Sequence, residues 1–219
     1  MHTCNRRARE KEHRRQDILR IARDLFFSRG YDGVTMEDVA VATELSTGTL
    51  YLYFKNKDAL FYAVVLKGVR TLNEMFQRDV QNGGNGADKL RRIGASYLEF
   101  YRLFPGQVRA IMEMQSRVLP ADEESVVKID MVIGENLHGI LCPCIAEGIR
   151  DGSLHSDLDP LQTALFMIIS IQSVVCLMPL QEAAFIRGGI SRETFAAYSM
   201  DLLIKSISTD RHNSTRVKR

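Results

Sequence analysis

Ser46, Thr47, Gly48 and Thr49 stand ahead of Leu50, Tyr51, Tyr53 and Phe54 in the segment LSTGTLYLYFKNKDAL, residues 45–60. Leucine or alanine would favour a helix more strongly at the first four positions. Small residues there make sense if the helix start must approach another molecule closely. Free backbone N–H groups at a helix start, joined by hydroxyls, can donate to phosphate oxygens or base edges. Tyr51 and Tyr53 carry hydroxyls on longer arms. Lys57 places a cation in the first turn of the next helix, where the helix dipole disfavours it by less than about 1 kcal/mol. A bound phosphate reverses that sign.

Other chemistries find no comparable pattern. The five histidines are scattered, and no Ser/His/Asp signature, glycine-rich phosphate loop or paired-carboxylate motif stands out, so an enzyme is not expected. Cys4, Cys142, Cys144 and Cys176 lack the two-residue spacing of a zinc site. They read as reduced, mostly buried thiols, with no metal and no cofactor. The net charge of +2 names no partner, but residues 1–30 hold nine Lys or Arg against four acids, while residues 31–208 hold sixteen against 22. This asymmetry fits a basic arm near a polyanion beside a neutral or acidic body.

The elements that would position these groups are helices. Ile18, Ile21, Ala22, Leu25 and Phe26 share one face of a first helix over about 11–29, stopped at Gly30. Thr35 caps a short helix, with Asp38 completing a variant of the capping box. Ser46 caps the next, TGTLYLYF, whose Leu50 and Phe54 can face one core. Asn56 caps a helix over 57–81 that ends at NGGNG. Farther on, Phe104-Pro105 ends a helix, Pro120 with Asp122 starts another, and Gly152 terminates it. Asp159 with Pro160 and then Ser191 start the last two. No stretch sustains a period of two, so the predicted fold class is all-α.

Residues 14–60 resemble the DNA-binding domain of the TetR family of bacterial transcriptional regulators. The resemblance rests on ILRIARDLFFSRGYDGVTMEDVA followed by LSTGTLYLYFKNKDAL, with Phe26, Gly30, Tyr31, Thr35, Ser46, Gly48, Tyr51, Phe54 and Lys57 at the family's spacing. It implies a homodimer whose N-terminal three-helix helix-turn-helix domain, residues 11–70, binds double-stranded DNA. Thr35 and Lys57 would hold phosphates, and Ser46 would open a recognition helix carrying Thr47, Gly48, Thr49, Tyr51 and Tyr53. Phe26, Leu50 and Phe54 would be core. Thr43 and Glu44 stand where the family usually has alanine and glycine, and the glycine position tends to require positive φ.

The resemblance further implies a larger helical domain, residues 71–208, for effector binding and dimerisation. Its final two helices would pair with those of a second copy, through Leu165, Ile169, Gln172, Phe195, Tyr198 and Leu202. A pocket for a small-molecule effector of apolar character has Phe100, Phe104, Met112, Met131 and Phe166 as apolar candidates. Arg109, Glu135, Asn136 and His138 are the polar ones. Each of these residues also reads as ordinary core filling or a solvated group. The expected function is a ligand-responsive regulator, most often a repressor, that binds a palindromic operator and is released by the effector. An activator and a helical adaptor that does not bind DNA remain the alternatives. Residues 161–180 are apolar enough to consider a membrane span, but Gln162, Gln172 and Pro179 favour burial in protein. No apolar run follows the N-terminal charges, so a cytoplasmic protein is expected, with residues 209–219 as a disordered basic tail.

Overall fold

The computed structural model describes residues 2–116, 131–175, 185 and 187–209. The predicted helix start at Pro120 and Asp122, Cys176, and all of the basic tail beyond Thr209 lie outside these residues. Chain packing divides the protein into two compact units, Met1–Arg70 with Phe104–Val132 and Thr71–Leu103 with Ile133–Arg219. The described residues are helical throughout, apart from turns and one isolated antiparallel bridge, Leu154 with Ser208.

The first unit opens with α1 (His2–Arg29), which starts nine residues earlier than its apolar periodicity predicts. Polar pairs account for the extension: Arg6 with Glu10 at 3.3 Å, and the Gln16 amide donating to Glu12 at 2.7 Å. Such i,i+4 pairs lengthen a helix without leaving a hydrophobic signal. Ile18, Leu19, Ala22 and Phe26 are buried, and Gly30 ends the helix at a φ of 72°.

Two short helices follow, α2 (Met36–Ala42) and α3 (Thr47–Tyr51). Thr35 caps α2 in a full capping box with Asp38, and Ser46 caps α3 by accepting from the Thr49 N–H at 3.1 Å. α3 is three residues shorter than predicted. The Tyr53 N–H donates to the Leu50 carbonyl at 3.0 Å, and this tight turn carries Phe54 into the core. Between the helices Thr43 is buried, its hydroxyl donating to the Val39 carbonyl at 2.7 Å, and Glu44 takes a φ of 56°.

A left-handed non-glycine residue costs on the order of 1 kcal/mol, partly offset in a glycine variant by a more flexible unfolded chain. Glu44→Gly is therefore expected to raise the melting temperature by about 1–3 °C for a chain of this size. A calorimetric scan showing no rise would mean that Glu44 makes compensating contacts in the turn.

Asn56 caps α4 (Lys57–Gln81), accepting from the Ala59 N–H at 2.7 Å, and the boundary between units falls inside this helix. Phe26, Tyr31 and Phe61 form an aromatic cluster with ring centroids 5.0–6.2 Å apart. α6 (Pro105–Ser116) packs on α1 in this same unit, with Ala110 in the core. The sequence reading assigned that stretch to the larger domain, because no local pattern reveals which neighbour a helix will choose.

The second unit contains α5 (Gly86–Leu103), a π-helical turn (Leu137–Leu141) leading directly into α7 (Cys142–Asp151), then α8 (Pro160–Val175) and α9 (Arg192–Ile207). α5 packs on α7 and α9, and α8 packs on α7 and α9. Phe100, Leu90, Ile145, Leu154 and Ile204 are fully buried. The predicted caps hold: Asp159 accepts from the Gln162 N–H at 2.7 Å and Ser191 from the Thr194 N–H at 3.1 Å. Gly152 ends α7 in a left-handed conformation. Among the described residues, no helix is long and apolar enough to cross a membrane.

Candidate nucleic-acid interface

α3 presents its first turn outward. Ser46, Gly48 and Tyr51 are exposed, Thr47, Thr49 and Tyr53 are half-buried, and only Leu50 is fully withdrawn into the core. The Ser46 and Thr49 hydroxyls lie 2.8 Å apart, so one donates to the other and one hydroxyl proton of the pair stays available. Gly48 has no internal reason to be glycine. A Cβ built there meets nothing nearer than Ser46 Oγ at 4.0 Å, and its φ is not positive. The empty space faces outward, where a second molecule can come against the backbone.

Thr35 and Lys57 are linked through Asp38. The Thr35 hydroxyl and N–H both donate to Asp38 Oδ2, at 2.6 and 2.8 Å, and the Asp38 N–H donates back to Thr35 Oγ1 at 3.1 Å. These hydrogen bonds from Thr35, then the charges of Arg29 and Lys57, hold the Asp38 carboxyl below its ordinary pKa. The Thr35 hydroxyl proton is thus committed to the cap. What this corner offers an anion is the remaining N–H groups at the α2 start and the cations nearby. Lys57 Nζ sits 4.0 Å from the centre of the Tyr31 ring, and the Tyr31 hydroxyl donates to Asp58. A cation on an aromatic face has its position fixed by the ring. Sequence reasoning missed this pairing, which joins residues 26 positions apart. Arg15, whose guanidinium lies 5.0 Å over the Phe54 ring, was likewise missed.

The residues proposed for an effector pocket are dispersed. Phe104, Arg109, Met112 and Met131 belong to the first unit, where Arg109 donates to the Phe27 carbonyl and Met131 is 64% exposed. Phe100, Glu135, His138 and Phe166 belong to the second, where Phe100 is buried and the other three are exposed. A cavity of about 360 Å³ in the second unit is lined by Met75, Arg78, Asp79, Asn82, Ser96 and Glu99 among others, and by none of the predicted residues. Asn136 has a distinct environment. Its side-chain amide donates to Asn73 Oδ1 at 3.0 Å, while its own Oδ1 is buried without a hydrogen-bond partner, immediately before the π-helical turn. A buried acceptor left unpaired costs about 1–3 kcal/mol.

The expected interface residues on the last helices form an apolar face. Leu165, Phe166 and Ile169 on α8 and Tyr198 and Leu202 on α9 are all exposed, while Gln172 and Phe195 are half-buried, Phe195 against Phe185 at 4.5 Å between ring centres. Of the thiols, Cys144 is buried and Cys142 half-buried. Burial pushes the Cys144 pKa up to about 11, which makes it inert as a nucleophile at neutral pH. Among the described residues, no group of His, Cys, Asp or Glu could hold a metal ion.

The family model for bacterial regulatory proteins of the tetR family matches residues 18–64, which contain α2, α3 and their caps. The HTH-type transcriptional repressor DhaR of Mycobacterium sp. (strain GP1) is 27% identical over 173 residues, covering 76% of this chain and 83% of the repressor. A TetR/AcrR regulator from Thermobifida fusca superposes with a TM-score of 0.70 at 19% identity, covering 94% of this chain and all of that one. AibR, solved in complex with isovaleryl coenzyme A and operator DNA, superposes at 0.67 with 21% identity, covering 87% and 98% of the two chains. Residues 18–64 thus carry a helix-turn-helix of the tetR family of bacterial regulatory proteins, and the chain as a whole is similar to TetR-type transcriptional regulators.

Proposed function

We propose that the protein is a ligand-responsive transcriptional repressor, a homodimer whose two α3 helices enter successive major-groove segments of a palindromic operator. The observation that carries this reading is Gly48: exposed, unstrained and with nothing in its own chain to exclude a side chain. Around it, Thr47, Thr49 and Tyr51 would touch bases and sugars, Ser46 would cap, and Lys57 with the α2 start would hold phosphates. The first unit is the DNA-binding part and the second binds the effector and the partner copy. The protein works in the cytoplasm, where its DNA is, and carries out no catalysis.

Release requires an effector that binds better to the dimer with the wrong spacing than to the one that fits DNA. The unpaired Asn136 Oδ1 supports an effector that brings a hydrogen-bond donor. AibR's ligand is an acyl thioester of coenzyme A, whose amides are donors of this kind. The test is selection of bound duplexes from a random DNA pool, comparing wild type with a Thr49→Ala, Tyr51→Ala variant at one salt concentration. A palindromic motif in wild type, relaxed or lost in the variant, is expected. The enriched duplex then serves to measure release by acyl thioesters, which Asn136→Leu should blunt. No enriched motif at any salt concentration would overturn the repressor reading.

A further inference from the structure

The N-terminal half of α1 is unlike the half that belongs to the core. Residues 6–14 are all exposed, and residues 6–15 hold Arg6, Arg7, Arg9, Lys11, Arg14 and Arg15 against Glu10 and Glu12. Both carboxylates are engaged within the helix, Glu10 by Arg6 and Glu12 by the Gln16 amide. Among the described residues, no carboxylate forms an ion pair with Arg7, Lys11 or Arg14.

Helical geometry gives these cations a direction. At 3.6 residues per turn, Arg7, Lys11, Arg14 and Arg15 fall within about 60° of Ile18 around the helix axis. Ile18 points into the core, as do Ala22 and Phe26 beyond it. The face that is apolar where α1 packs on its neighbours thus becomes cationic where α1 runs past them. Arg15 marks the crossover, with its guanidinium 5.0 Å over Phe54, the residue that closes the turn after α3. From there, residues 2–14 extend about 20 Å further at 1.5 Å per residue. A stripe meant only to keep a helix soluble would have no reason to gather on the core-side face and leave its own acids paired elsewhere.

We propose that this stripe is a second DNA-contacting surface, in which Arg7, Lys11 and Arg14 hold backbone phosphates of duplex flanking each half-site. The proposal rests on the DNA-binding reading, extending it from α3 to α1. These contacts add affinity without sequence preference, because phosphates carry no base information.

The test uses the full-length protein and two 40-base-pair duplexes, one carrying the selected motif and one of random sequence. The dependence of affinity on salt is measured for wild type, for an Arg7→Gln, Lys11→Gln, Arg14→Gln variant and for an Arg7→Lys, Arg14→Lys variant. Each phosphate contact contributes about 0.9 to the slope of log affinity against log salt, so three contacts in each of two protomers contribute up to about 5. The neutral variant should lose a slope of this order on both duplexes and keep the selected motif, with wild-type helix content and melting temperature. The lysine variant should keep the slope. Trimming the flanks of the motif duplex should reproduce the loss in wild type. An unchanged slope in the neutral variant on both duplexes would overturn the proposal. Because the neutral variant is compared with wild type on the random duplex as well, absence of a selected motif would count against the repressor reading and not against the arm.

Discussion

Gly48→Ala is expected to leave the protein as stable as wild type, or slightly more so, and to weaken operator binding at least tenfold. The two effects have opposite signs because they live on different links of the chain. Within the fold, alanine is a better helix former than glycine by up to about 1 kcal/mol, less at the edge of so short a helix. The added methyl has room, with Ser46 Oγ at 4.0 Å as its nearest neighbour. At the DNA, the same methyl stands on the exposed first turn of α3, where the backbone would lie against the duplex. A displacement of even part of an ångström there stretches the hydrogen bonds of Thr47, Thr49 and the adjacent N–H groups together. Tenfold corresponds to about 1.4 kcal/mol, the worth of one or two such bonds. Melting temperature and affinity at a single salt concentration decide it. Unchanged affinity in a stable variant would show that nothing approaches Gly48 closely, and α3 would lose its standing as the recognition helix.

What was legible in the sequence follows the range of the interaction concerned. Caps are local, so Thr35 with Asp38, Ser46, Asn56, Asp159 and Ser191 could each be placed from three or four neighbouring letters. The strained turn at Glu44 was legible only through the family resemblance, since a glutamate by itself gives no hint of positive φ. Lys57 over Tyr31, Arg15 over Phe54 and Asn136 on Asn73 were not legible, because each joins segments whose mutual placement no periodicity encodes. The same limit applies to α6, whose apolar residues would suit either unit. The π-helical turn at Leu137–Leu141 was also invisible, since one extra residue in a helical turn leaves the apolar spacing nearly unchanged. The exposed start of α3 is therefore the most legible part of the fold around the candidate site and the interior of the second unit the least: the first depends on one short helix, the second on how several long ones meet.

The second large effect is expected at the apolar face of α8 and α9. Ile169→Glu should convert the dimer to a folded monomer and abolish tight operator binding. Inside the unit α8 buries Thr163, Ala164, Met167, Ile171 and Val175, so its packing on α7 and α9 does not need Ile169, which is 60% exposed. The face that Ile169 shares with Leu165, together with Tyr198 and Leu202 on α9, is too apolar to be left in water without a partner. In a two-fold dimer the same patch meets itself, so one substitution places two carboxylates in the interface. Each costs several kcal/mol to desolvate without a counter-charge, and two near the axis also repel. Ile169→Ala removes only apolar area and should weaken the dimer by far less. Sedimentation equilibrium at micromolar concentration separates these outcomes, with helix content as the control for folding. A palindrome read by one half-site at a time loses most of its affinity, so the glutamate variant should also fail on the selected duplex although its α3 is untouched. A variant that stays dimeric would move the interface to another face. A monomer that still binds the operator as tightly as wild type would instead break the link between dimerisation and recognition.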